Sequence, residues 1–398
     1  MLHLVVHDDL IDDEKSLNDL SPLADLRASF DIRTGARTTL ERLLAFLTPT
    51  SWSVSIGRAQ IEPAMAGAEP GIDALHVSGR CVLPPTELRT LGPGEALVER
   101  ISGRWVAFRG SVSTAASLVQ ARWPADVRPK EIEGRVLLTR PWHVRSLRDE
   151  AIARDLAEAS ATIGVLTPTS GVVVVGDKGV YAGEAARVWP GAILDATAGA
   201  IVLGARSTVR PGAVVIGPAS LGEGSSVLDR ALVKGGTAVG PWCKLAGEVG
   251  GTIVQGFTNK AHDGHLGDSW VGEWVNLGAG TTNSNLLNTY GEVIARARPE
   301  GPNERTGETF LGAIIGDHVK TAIGTRLMTG CVAHTGAMVA MSAAVSGCVP
   351  PFAWWTDEGK RAYRAGKFEE VVRAVMSRRD RAPTPAYVAR VRRLLGPG

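Results

Sequence analysis

Cysteine is scarce. The four thiols, Cys81, Cys243, Cys331 and Cys348, lie far apart with no C-x-x-C pair, which excludes both a zinc motif and a disulfide framework that sequence could reveal. They are read as reduced thiols. An excess of one charge is also lacking: a net charge of +2 and a charged fraction of 21% in 398 residues give no reason to expect nucleic acid or an anionic membrane as partner. Long hydrophobic runs are missing too. The opening "MLHLVVHDDL" has only a short apolar stretch before its aspartates, so it reads as neither a signal peptide nor a membrane span, and a cytoplasmic location is expected. The length allows a sizeable core and two domains.

What the chain does have is a period. Leu203, Val209, Val215, Leu221, Val227, Val233, Val239 and Leu245 are aliphatic residues spaced by six, with Gly204, Gly222 and Gly240 directly after members of the series. Six fits neither an amphipathic helix nor an alternating strand; it fits a chain wound around a triangular prism, one short strand per face. Ala182, Val188 and Leu194 carry an earlier phase, and the nine-residue step to Leu203 implies a three-residue bulge at a corner. Ile315, Thr321, Leu327, Ala333 and Val339 resume the spacing later. The pattern predicts a left-handed parallel β-helix over 166–350, with about eight coils stacked roughly 4.8 Å apart.

The flanks have another texture. Residues 1–165 alternate strand and helix signals: "LHLVV" and "RVLLT" as strands, "TTLERLLAFL" as a helix, and "SLRDEAIARDLAEA" as a helix capped by Ser146. A small α/β domain is expected. Residues 351–398 are rich in Lys and Arg and carry the stripe Phe368, Val371, Val372, Val375 and Met376, which predicts a helical cap with a basic outer face.

Between the hexad runs lies "NKAHDGHLGDSWVGEWVNLGAGTTNSN" (259–285), where polar side chains crowd among glycines. Leu266, Val271 and Leu277 keep the coil going, so Lys260, His262 and His265 fall at or beside a corner and Asn276 and Asn283 along a face or edge. Imidazole suits a general base, amides orient substrates, and lysine can meet a phosphate or carboxylate. The bland alternative is a solvated wall.

Together with "VRPGA" (209–213), "IIGDHVKTAIGTRLMTG" (314–330) and "RPWHVRSLRDEAIARDL" (140–156), this stretch resembles the acetyltransferase half of the bifunctional glucosamine-1-phosphate acetyltransferase and N-acetylglucosamine-1-phosphate uridyltransferase family, in a divergent sugar nucleotidyltransferase-like branch. The likeness covers about residues 135–380. It implies His262 as general base, Arg210, Lys260, His265, Asn276 and Asn285 in the substrate site, and a coenzyme A groove near Ala322, Ile323, Ala340 and Met341. It further implies acetyl-CoA as cosubstrate, an amino sugar phosphate or nucleotide-linked amino sugar as acceptor, and a homotrimer with active sites between copies. Departures are visible as well. Leu286 follows Asn285 where the family has tyrosine, a substrate lysine is replaced near Phe310, and the 286–312 insertion brings Tyr290, Arg296, Arg298 and Arg305, which read as a solvated loop or a rebuilt anion site. The family's G-x-G-T-R phosphate loop is missing, and Asp8, Asp9, Asp25 and Arg27 are the polar candidates left in the N-terminal domain. That domain therefore reads as degenerate, with Mg2+ expected only if it is active. Two alternatives stand beside the acetyltransferase: a non-catalytic sugar-nucleotide-binding or scaffold trimer, and an active sugar-1-phosphate nucleotidyltransferase. The histidines His262, His265, His318 and His334 invite comparison with a zinc site, but their spacing argues against one.

Overall fold

The computed structural model describes residues 2–10, 18–65, 67, 73–111 and 127–396. Its N-terminal part holds a six-stranded mixed sheet built from β1 (His3–Asp8), β2 (Ser51–Ile56), β3 (Ala74–Ser78), β4 (Glu95–Glu99), β5 (Trp105–Gly110) and β6 (Arg128–Ile132). The order is β2-β1-β3-β5-β4-β6, with β1 parallel to both neighbours. Helix α1 (Thr39–Leu47) begins with a capping box: Thr38 Oγ1 accepts the Glu41 amide at 3.2 Å and Glu41 Oε2 accepts the Thr38 amide at 2.7 Å. Leu40, Leu43 and Leu47 then bury their side chains with Leu4, Val6, Leu75 and Val77 of the sheet. "RVLLT", by contrast, is not a strand. The Glu99 carboxylate accepts the amides of Val136 and Leu137 at 2.7 and 2.8 Å, which diverts them from a ladder and leaves one bridge, Leu137 to Cys81.

Helix α2 (His143–Ser160) starts three residues before the expected cap, and Ser146 Oγ donates to the His143 carbonyl inside its first turn. Its apolar residues Leu147, Ala151, Ile152 and Leu156 share one cluster with Leu20, Leu23, Ile32 and Val82 of the N-terminal unit and with Val202, Ala238, Ile253, Trp270, Ile314 and Val332, the outward-facing residues of one solenoid wall. The two halves on either side of residue 165 thus share a core.

The solenoid is a parallel prism of hexapeptide type, as the spacing predicts. Its walls are named here by a residue of each: the Ile201 wall has nine stacked strands, the Ile193 wall six, and the Val209 wall a run of five. Nine strands exceed the eight coils expected, and the last, Cys348–Val349, lies just inside the expected end at 350. Every member of the 203–245 hexad series is buried inside the prism, where each Val or Leu side chain contributes roughly 1.5–3 kcal/mol on burial. The three-residue bulge is present: Val180 pairs with Ile201 and Ile201 with Ala219, so the first coil is longer by three residues than the next. A Cβ at Gly240 would stand 1.9 Å from the Gln255 carbonyl and 3.0 Å from Arg33 Nε, so this corner stays bare where the N-terminal unit docks.

The insertion is no solvated loop. Strands Ile294–Ala295 and Glu304–Arg305 pair antiparallel, and Val293, Ala295, Ala297 and Leu311 are buried against the α2 core. Arg140 clasps it from outside through Glu304 at 2.7 Å. Nor is the C-terminal part purely helical. Ala353–Thr356 extends the Val209 wall and turns into an antiparallel partner, Gly359–Ala362, before α3 (Ala365–Ser377) and α4 (Pro385–Leu395). The stripe on α3 docks as expected: Phe368, Val372 and Met376 bury against Leu26, Trp274, Phe352 and Val391. Among the described residues no helix is long and apolar enough to cross a membrane.

Candidate active site

Successive coils place His262 in a column of corners where the Val209 wall turns into the Ile193 wall. Strand pairing sets the register. Leu245 pairs with Lys260, and Asn259 with Asn276, which in turn pairs with Lys320, so Ala279 lies one step above His262 and Ile323 one step above Ala279. Ala322 donates its amide to Val339 at 2.8 Å, which puts Met341 over Ile323. An open cleft of about 600 Å3 runs here, lined by Asp229, Arg230, His262, Asp263, Ala279 and Ile323 among others. His262 is exposed, and Ile323, a bulky aliphatic, is 82% exposed. Sequence reasoning passed over Arg230. It is exposed in the same cleft, two coils below His262, and its corner position with φ 59° is one the hexad spacing could have flagged.

Arg210 lies lower in this column. It stands three coil steps below Ala261, about 14 Å at ordinary strand spacing, and its guanidinium sits 4.8 Å over the Trp189 ring and 3.3 Å from Asp229. Lys260 is placed where it cannot meet a substrate. It occupies the inward register of Leu245 and is buried, and its Nζ donates to the carbonyls of Ala246 at 2.9 Å and His262 at 2.5 Å. Burial lowers its pKa to about 8, with Asp263 pulling the other way. The lysine read as a phosphate ligand instead holds the corner that carries the histidine. The reason is the pitch: inward and outward positions alternate, and Lys260 falls on an inward one.

His265 and Asn285 belong to the next wall and the corner beyond it. His265 Nδ1 is 3.3 Å from Glu248, which Lys234 also holds at 2.5 Å. Asn285 Nδ2 donates to Asp268 at 2.8 Å, and Asp268 in turn accepts Arg148 of α2 at 2.7 Å and pairs with Arg145 at 3.0 Å. Both side chains come within 3 Å of where a Cβ on Gly267 would lie, so Gly267 leaves room for them to approach. Asn283, by contrast, is buried and bonds Gly267 through both ends of its amide, a structural role. Asn276 is exposed on the Val209 wall beside Lys320, in a small cavity of about 140 Å3 that Arg379 also lines. Burial lowers the Lys320 pKa to about 8.

The remaining histidines lie elsewhere. His318 stacks on Trp274 at the corner between the Ile201 and Val209 walls and bonds the Tyr387 hydroxyl at 2.8 Å. His334 bonds the Ala297 carbonyl at 3.1 Å. In the insertion, Arg296 bonds Asn303 and the Pro299 carbonyl, Arg305 pairs with Glu292 at 2.6 Å, and Tyr290 stays exposed, so these side chains converge on no common point.

The polar candidates of the N-terminal unit are engaged in the fold. Asp8 forms a fully buried pair with Arg58 at 2.8 Å and accepts the Ser29 amide. Asp9 pairs with Arg80 at 2.8 Å. Asp25 accepts the Thr335 hydroxyl at 2.8 Å and Arg27 reaches Asp317, both across to the solenoid.

Known proteins resemble parts of this chain. Residues 10–162 match the family model described as sugar nucleotidyl transferase. A bifunctional sugar-1-phosphate nucleotidylyltransferase/acetyltransferase of Sulfurisphaera tokodaii is 34% identical over 83 residues, 21% of this chain and 20% of the relative. The bifunctional protein GlmU of a Cyanothece species is 33% identical over 139 residues, 28% of this chain and 30% of the relative. The matches thus span less than a third of the length of these curated relatives. Among solved structures, a hexapeptide transferase family protein from Anaplasma phagocytophilum covers 56% of this chain at 13% identity and a TM-score of 0.25. Residues 10–162 are thus nucleotidyltransferase-like by this match, which spans less than half of the chain. The resemblance to the bifunctional enzymes is borne out at low identity over part of the chain.

Proposed function

We propose that the protein transfers the acetyl group of acetyl-CoA to the amine of an amino sugar phosphate or nucleotide-linked amino sugar. The observation that carries this reading is the corner column: an exposed imidazole at His262 shares an open cleft with Ile323, and Met341 lies one step above Ile323. In the reaction His262 takes a proton as the amine nitrogen attacks the thioester carbon. The C–N bond forms, a backbone N–H steadies the oxyanion, the C–S bond breaks, and the proton passes to the departing thiolate. Among the described residues Arg230 is the one arginine of the cleft and can meet a phosphate beside Asp229 and Asp263, while Arg210, lower in the column, is held by Asp229. Ala322, Ile323, Ala340 and Met341 flank the cosubstrate through backbone and apolar contact.

Because His265 and Asn285 lie one wall away from His262, and Asn276 on the wall before it, a single chain leaves these groups spread around the prism. Copies packed side by side bring one copy's corner to another's wall, which favours a homotrimer with shared sites. The uncovered Ile193 wall supports this: Val173 and Ile193 are 49% and 37% exposed and continue upward through Val214 and Leu232.

The N-terminal unit is read as degenerate for nucleotidyl transfer, supported by the buried pairs of Asp8 and Asp9. The full-length protein given UTP, Mg2+ and a sugar 1-phosphate should release no pyrophosphate above background, and robust release would restore the nucleotidyltransferase alternative.

The test of the main reading is His262→Asn. We expect kcat for acetyl transfer to fall roughly 100- to 10,000-fold with melting temperature and acetyl-CoA binding nearly unchanged, while Asn276→Ala acts partly through KM for the acceptor. An active His262→Asn enzyme would overturn it.

A further inference from the structure

On the far side of the Val209 wall from His262 lies a second cavity, of about 570 Å3, which no role above employs. Its floor is the corner column between the Ile201 and Val209 walls, where Trp242, Phe257, Trp274 and His318 all adopt left-handed φ between 53° and 59°. The upper members close on each other: Phe257 stacks on Trp274 at 4.4 Å and 12°. Trp242 at the bottom packs over Gly224, where a Cβ would meet the indole at 2.6 Å. Trp242 and Phe257 thus present aromatic surface to the cavity without filling it.

The opposite wall is the turn after α3. It is pinned by the amides of Arg379 and Arg381 to the Met376 carbonyl and by the Arg379 guanidinium to Asn259 Oδ1 at 2.9 Å. This turn puts Arg378 and Arg381, both exposed, on the cavity rim facing Lys244 across it. Asp380 is the one carboxylate of the lining and forms no ion pair with them among the described residues. Three unpaired cations therefore surround a cleft floored by aromatic rings. Exposed like charges repel by up to about 1 kcal/mol per close pair in water, so such a rim is stabilised by an anion. An aromatic floor adds preference for a ligand with a planar ring, and arginine forks match phosphate oxygens in two-pronged geometry.

We propose that this cleft binds a nucleoside diphosphate group, with the base against Trp242 and Phe257 and the phosphates at Arg378, Arg381 and Lys244. The inference goes beyond the acetyl-transfer reading and does not need it, because binding is measured without turnover. Two sources share this chemistry: a nucleotide-linked sugar and the adenosine diphosphate end of a coenzyme.

The test is calorimetric titration of the full-length protein with UDP, ADP and inorganic phosphate. Wild type is compared with the double variant Arg378→Ala/Arg381→Ala, with Lys244→Ala, and with His262→Asn. These rim residues are exposed, so the variants should keep the wild-type melting temperature. The expected result is binding of at least one nucleotide much tighter than phosphate, weakened roughly tenfold or more by the rim variants, since hydrogen bonds to charged groups carry about that much, and unchanged by His262→Asn. Preference for UDP assigns the cleft to a nucleotide-linked sugar, and preference for ADP to a coenzyme. Failure of both nucleotides to bind, or binding that the rim variants leave intact, overturns the proposal. Neither outcome touches the acetyl-transfer reading, which stands or falls on the His262→Asn rate.

Discussion

Arg27 and Asp317 lie 290 positions apart in the chain and meet as a buried ion pair at 2.8 Å, with the same Asp317 oxygen accepting the Glu273 amide at 2.7 Å. The pair bolts the N-terminal unit to the solenoid. Burial raises the Asp317 pKa to about 6 against the pull of Arg27. Arg27→Met should therefore leave a buried carboxylate without its cation and destabilise the protein by about 3–5 kcal/mol. Denaturation of the variant should show a clear drop in midpoint; a loss of under about 1 kcal/mol would mean the pair matters little to docking.

Asp31 sits close by and titrates in reach of neutral pH. Its pKa is raised to about 7, chiefly by burial, opposed by the Ala64 amide and Arg27 and assisted by Glu273 and Glu41. A carboxyl whose folded pKa exceeds its unfolded value holds its proton more tightly when folded. Its contribution favours folding below about pH 4 and is lost as pH rises through about 7. Asp31→Asn removes that loss while its amide oxygen still accepts from Ala64. The stability difference between variant and wild type should grow between pH 4 and 7 to on the order of 2–4 kcal/mol and then level off. A difference that is flat with pH would contradict it.

Lys260 provides a third test, because its charge is buried for the sake of the His262 corner. Lys260→Met keeps the volume inside the prism and removes a desolvated ammonium, so the melting temperature should hold or rise. The two carbonyl contacts are lost, the corner loosens, and kcat for acetyl transfer should fall about tenfold with little change in KM for acetyl-CoA. Unaltered kcat would show that the corner needs no such brace.

Association is checked on the uncovered wall. Light scattering should return three times the chain mass of 41.9 kDa for wild type, and Ile193→Asp, which sets a charge in the apolar stripe, should shift the protein toward monomer. A wild-type mass of one chain would remove the shared-site arrangement.

The six-residue spacing was sufficient to predict the prism, because a side chain that recurs at every sixth position points into it; the eight aliphatic residues from Leu203 to Leu245 are all buried there. The helix of "TTLERLLAFL" was legible for the same local reason, though its capping box at Thr38 and Glu41 was found only in the structure, and so was the apolar stripe of α3. His262 was legible as a corner residue. Lys260 was not legible as a buried brace, since lysine is expected outside and only the register with Leu245 shows that it points inward. The burial of the 286–312 insertion, the early start of α2 and the diversion of Val136 and Leu137 to Glu99 all depend on partners far away in sequence. Residue spacing thus determined the repeat, its inward side chains and the polar corner. Which walls are covered, which candidate residues share a cleft and where the arginines of the α3 turn meet Trp242 were decided only by the tertiary structure, because these contacts join segments whose local patterns carry no record of one another.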